Sequence, residues 1–153
     1  MKARFNAVKL APGAYKAMLD LEAYLASSSI EPKLLHLIKL RASQINGCAY
    51  CIDMHAKDAL ALGETEQRLL GLDAWRESPY YSERERAALE WTGALTLITA
   101  GHAADAVYDR VRAVLSEQEV ADLTVAVATI NAWNRLAIAA RTVPGLYQPR
   151  SSG

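Results

Sequence analysis

The chain has 153 residues, 52% hydrophobic and 22% charged, which suits one compact domain and is unlike a disordered tail. Seventeen Lys and Arg balance seventeen Asp and Glu, so the long-range attraction behind most nucleic-acid and anionic-membrane binding is missing. The longest charge-free stretches, Trp91 to Ala104 and Leu123 to Asn134, are too short to cross a bilayer. Residues Met1 to Val8 are basic with no apolar run behind them, so no signal peptide is expected. The expectation is a cytoplasmic protein with no membrane or nucleic-acid partner.

In chain order the signals are helical. Pro12 sits where a first helix starts, and Tyr15, Met18, Leu19, Leu21 and Leu25 carry it to the Ser27-Ser28-Ser29 break, with Glu22 facing out. Pro32 starts a second helix that runs to Asn46-Gly47. A third runs from about Cys48 to Leu62 and stops at Gly63. A shorter fourth covers roughly Thr65 to Trp75, and Pro79-Tyr80-Tyr81 reads as a turn. Ser82 with Glu85, and Ser116 with Glu119, fit capping boxes. They open helices from about Ser82 to Thr99 and from Ser116 toward Ala140, with a short piece from Ala104 to Val114 between them. No period-2 run of β-branched and aromatic residues appears. The fold class is therefore all-α, about seven helices in one domain over residues 1–146, with 147–153 a frayed tail.

The last helix is nearly apolar all round, with Val120, Leu123, Val125, Val127, Ile130, Ala132, Trp133 and Ile138. Such a helix needs cover on every side, either as the centre of the domain or against a partner subunit. Asn131, Asn134 and Arg135 are polar groups on it that need partners when buried, and a network at a subunit contact is expected. Trp75, Tyr80 and Tyr81 read as core or interface aromatics, His102 as a surface residue, and Asp53, Lys57 and Asp58 as a solvated face.

Both cysteines lie in one tetrapeptide, Cys48-Ala49-Tyr50-Cys51. A bridge there closes almost no loop and stabilises little, so chemistry explains the pair better than stapling does. On a helix Cys48, Cys51 and His55 share one face. The helix N-terminus and the imidazole both favour a thiolate, lowering a thiol pKa from about 8.5 toward neutrality. One sulfur can attack a peroxide to give a sulfenic acid and the other can condense with it to a disulfide. Tyr50, between them, reads as a gate or as packing. On the preceding helix His36, Lys39 and Ser43 form a polar stripe between apolar faces, which either looks at solvent or lines a polar cavity. Two thiolates and an imidazole can also hold zinc, with His36 as a fourth ligand, although neither metal nor cofactor is expected.

These residues resemble the alkyl hydroperoxidase D-like, carboxymuconolactone decarboxylase superfamily. The likeness is carried by Ser43 through Cys51, Met54-His55, Ala61 through Leu69, Trp75-Arg76-Glu77, Glu85 through Leu89 and Ile130 through Arg135, and it extends from about Leu34 to Ala140. It implies an all-helical fold assembled as homo-trimers or homo-hexamers, and thiol-dependent reduction of organic hydroperoxides or hydrogen peroxide with regeneration by a dithiol or protein reductant. By position, the likeness makes Cys51 the peroxidatic thiol, Cys48 the resolving thiol and His55 part of a proton relay. The family's relay Glu corresponds here to His36, twelve residues before Cys48. A two-histidine relay, a thiol–disulfide reductase or redox adapter, and a non-enzymatic redox, metal- or ligand-binding oligomer all remain open at this point.

Overall fold

The computed structural model describes residues 2–149, and no strand occurs among them. A short α1 (Ala7–Leu10) precedes α2 (Pro12–Ala26) and α3 (Pro32–Asn46), and both longer helices carry Pro in the first turn. There the missing N–H costs nothing, and the fixed φ suits a helix start. Next come α4 (Ala49–Ala61), α5 (Glu66–Leu70) and a 3-10 turn at Leu72–Ala74. The chain ends with α6 (Glu83–Thr96), α7 (Ile98–Gly101), α8 (Asp105–Arg112) and the long α9 (Glu117–Ala140).

Both predicted capping boxes form, at Ser82/Glu85 and Ser116/Glu119. Two predicted helices are interrupted. The one expected over Thr65 to Trp75 breaks at Gly71 into α5 and the 3-10 turn. The one expected to reach Thr99 turns at Leu97, where the Thr96 hydroxyl accepts a hydrogen bond from Asn131 of α9 at 3.1 Å. That tertiary bond has no trace in the helical periodicity.

The most enclosed helix is α3. Leu34, Leu35, Leu37, Ile38, Leu40 and Ala42 are buried around most of its circumference, against α4, α6 and α9. The all-round cover expected for α9 is only partial: Val120, Leu123, Ala126, Val127 and Ile130 are buried, while Leu136 and Ile138 are exposed. By length and composition α9 could cross a membrane. Its buried Asp122, Thr129, Asn131 and Asn134 are nonetheless all hydrogen-bonded within the fold.

The Asn131–Asn134 network is satisfied inside the chain. Asn46 at the end of α3 donates to Asn131 Oδ1 at 2.9 Å and to Asn134 Oδ1 at 2.8 Å, and Asn134 Nδ2 donates to Ser43 Oγ at 3.0 Å. The end of α3 is thereby clamped to α9. Trp75 and Tyr81 are core residues, whereas Tyr80 is exposed and its hydroxyl accepts from Gln67. His102 is exposed and caps α7 in a left-handed conformation.

Candidate functional site

The clamp fixes the link that carries the cysteines. Gly47 ends α3 in the left-handed region at φ 69°, its N–H bonding to Gln44 O, while Cys48 N–H bonds to Ser43 O at 3.0 Å. These two bonds make a Schellman stop, which favours glycine at that position. Cys48 is at once the residue after that stop and the N-cap of α4, where its Sγ accepts from Cys51 N–H at 3.4 Å. The C-cap of α3 and the N-cap of α4 are therefore consecutive residues, with no loop between the two helices.

Cys48 and Cys51 are joined as a disulfide with Cα atoms 5.4 Å apart. Both are buried, at 1% and 2% exposure. Ala42 and Ile130 complete their cluster, with Tyr50, Trp133 and Ala137 packed over it. The same three covering residues line an open cavity of about 460 Å³, together with Phe5, Tyr15 and Leu136. The sulfurs thus sit one side-chain layer behind a largely apolar cavity.

His55 is buried on α4, one turn beyond Cys51. Its Nδ1 lies 3.4 Å from His36 Nδ1 of α3, and His36 Nδ1 in turn lies 3.8 Å from Asp58 Oδ2. Burial pushes the His36 imidazole below its ordinary pKa, with Asp58 acting in the opposite sense. Burial pushes His55 well below its ordinary value, helped by the Lys39 charge and by His36. Both shifts favour the neutral rings. Among the described residues His55 Nε2 is the only buried side-chain nitrogen or oxygen without a hydrogen-bond partner. An imidazole whose Nδ1–H is used toward His36 presents a bare lone pair at Nε2, as a general base requires.

The polar stripe of α3 turns inward. Lys39 is buried and pairs with Glu22 of α2 at 2.5 Å, and Ser43 is buried in the α9 clamp. Glu22 does not face out as its sequence position predicts: its other oxygen accepts from Trp133 Nε1 at 3.0 Å. Asp53, Lys57 and Asp58 are not a solvated face either. Lys57 bridges Asp53 at 2.9 Å and the Tyr147 carbonyl at 3.1 Å, Gly145 N–H donates to Asp53, and the Tyr147 hydroxyl donates to Asp58 Oδ1 at 2.7 Å. Part of the expected frayed tail, Tyr147, thus docks onto α4, while residues 150–153 lie outside the described residues.

The structure places His36 against His55 and joins Cys48 to Cys51, with His55 one turn beyond Cys51 on α4. Asp58 joins the histidines: it is not the solvated residue its charge predicts, and its i+3 spacing from His55 places it on the same helix face. His36, His55 and Asp58 offer ligand atoms within 4.8 Å of one another. The bridged sulfurs are not part of that group.

The sequence profile of the carboxymuconolactone decarboxylase family matches residues 12–94. Uncharacterized protein YdfG of Bacillus subtilis is 46% identical over 139 residues, covering 91% of this chain and 95% of its own length. A crystal structure of a protein of unknown function from Agrobacterium tumefaciens, provisionally described as the antioxidant defence protein AhpD, superposes with a TM-score of 0.92 at 45% identity. It covers 95% of this chain and all of the other. An uncharacterized peroxidase-related protein with an alkylhydroperoxidase AhpD core, from Ralstonia eutropha, shares the fold at 15% identity with a TM-score of 0.81, over 92% of this chain and 75% of its own.

Proposed function

Because the chain belongs to the carboxymuconolactone decarboxylase family, within its AhpD-like branch, we propose that it is a thiol-dependent peroxidase working by a cysteine sulfenic acid/disulfide cycle. The observation that carries this reading is the bridged Cys48–Cys51 pair on the same helix as a buried imidazole whose Nε2 has no partner.

In the reduced protein His55 Nε2 takes the Cys51 thiol proton. The thiolate attacks one oxygen of ROOH, the O–O bond breaks, and the leaving alkoxide collects a proton to depart as ROH. Cys51 is now a sulfenic acid. Cys48, whose sulfur already accepts a backbone N–H at the start of α4, is the thiol that this position favours as thiolate. It attacks the Cys51 sulfur, expels hydroxide that leaves as water, and closes the disulfide. A dithiol or protein thiol then reduces the bridge, so each cycle converts ROOH and two reducing equivalents into ROH and water.

His36 and Asp58 replace the family's single Glu. His36 holds the His55 ring through the paired Nδ1 atoms, and Asp58 supplies the negative charge that steadies a protonated imidazole. Substrate enters from the cavity once Tyr50 or Trp133 swings aside. Reduced protein mixed with one equivalent of cumene hydroperoxide should lose both thiols and release one cumyl alcohol. If both thiols survive, the reading fails. We also infer assembly into a homo-trimer or homo-hexamer, a reading supported by the exposed Leu136 and Ile138 on α9. Light scattering that returns the mass of one chain would refute the assembly.

A further inference from the structure

The side chains that complete the proton path also have the composition of a metal centre. We propose that the disulfide form of this protein binds one divalent cation of the zinc class through His36 Nδ1, His55 Nδ1 and a carboxylate oxygen of Asp58. As a binding site this stands on geometry alone. As a regulator it rests on the peroxidase reading, because a cation bound at His55 Nδ1 leaves the ring proton on Nε2 and so removes the base from the relay.

Two imidazole nitrogens bound tetrahedrally to zinc at about 2.0–2.1 Å lie about 3.4 Å apart. The two Nδ1 atoms are separated by 3.4 Å. Asp58 Oδ2 is 3.8 Å from His36 Nδ1, and all three ligand atoms lie within 4.8 Å of one another, so a modest rotation of the Asp58 side chain completes the set. The outer shell is in place: the Tyr147 hydroxyl holds Oδ1 at 2.7 Å and leaves Oδ2 for a cation, the arrangement that orients ligating carboxylates. The side chains of His36 and Asp58 are 24% and 16% exposed, which gives an ion a route in and a water a fourth position. The one opposing charge among the groups acting on both imidazoles is Lys39, which is paired with Glu22 at 2.5 Å. Two nitrogens and one oxygen select a borderline cation over magnesium or calcium, which prefer all-oxygen shells. Bridged to each other, the cysteines are not ligands.

Calorimetric titration of the oxidised full-length chain with zinc chloride tests this. The expected result is one ion per chain, with no response to magnesium chloride. His36→Gln and Asp58→Asn should each remove the isotherm, and Tyr147→Phe should weaken it about tenfold. Both ligand variants change partly exposed side chains, and circular dichroism checks that they fold. The doubly substituted Cys48→Ser, Cys51→Ser protein should still bind, since no sulfur is a ligand. Absence of binding by the folded wild type, equal binding by the ligand variants, loss in the double serine variant, or an equal response to magnesium would each overturn the site. Peroxide consumption by metal-free reduced protein is read separately. If it persists without zinc binding, only the metal site falls; zinc binding without it supports the site and removes the peroxidase reading.

Discussion

The Asn134 amide is the test of whether the α3–α9 clamp holds the cysteine link. Asn134 is fully buried; its Nδ2 donates to Ser43 Oγ at 3.0 Å and its Oδ1 accepts from Asn46 at 2.8 Å. Asn134→Ala removes both bonds but orphans neither partner. Ser43 Oγ still donates to the Lys39 carbonyl at 2.8 Å, and Asn46 still donates to Asn131 at 2.9 Å. The cost is therefore two net hydrogen bonds at about 1 kcal/mol each. The cavity left by the amide, roughly 30 Å³, adds about 0.7 kcal/mol at the usual penalty per unit volume. The sum is about 3 kcal/mol, or a fall in Tm of roughly 6–12 °C for a domain of this size. Urea unfolding of the oxidised protein should show a lower midpoint at unchanged slope. A loss below about 1 kcal/mol would refute the clamp, because the two bonds alone exceed that.

Three further predictions follow from the same geometry. Cys51→Ser should abolish peroxide turnover, while Cys48→Ser should consume one equivalent and stop at a sulfenic acid that dimedone traps; the reverse pattern would exchange the two roles. Gly47→Ala meets no neighbouring atom within 4 Å but must hold φ at 69°, so it should destabilise by about 1 kcal/mol through backbone strain alone, and an unchanged unfolding midpoint would contradict this. Glu119, hydrogen-bonded by the Arg84 guanidinium and the Ser116 N–H, has its pKa held down to about 2. A carboxylate depressed in the folded state contributes stability that is complete above its ordinary pKa of 4.5 and is lost as pH falls toward about 2. Because this pair is partly solvated, Glu119→Gln should cost about 1 kcal/mol at pH 7. It should also flatten the loss of stability below pH 4.5, and parallel pH–stability curves for the two proteins would rule the pair out.

The longer helices α2, α3, α4, α6, α8 and α9, the two capping boxes and the shared face of Cys48, Cys51 and His55 were legible in the sequence, because each depends on residues within a turn or two of one another, whereas α1 and the breaks at Gly71 and Leu97 were not. Nor was what lies around that face. Glu22 and Asp58 look solvent-facing in isolation, since a charged residue on an amphipathic helix usually is. They become parts of the site only when α2 brings a carboxylate to Lys39 and Trp133, and when Tyr147, 89 residues beyond Asp58, settles on α4. The same holds for the inward turn of the α3 stripe and for the partial cover of α9. Local spacing fixes which side chains share a helix face; only packing between distant segments decides whether that face meets water, a sulfur or an opposing charge, and no periodicity encodes that choice.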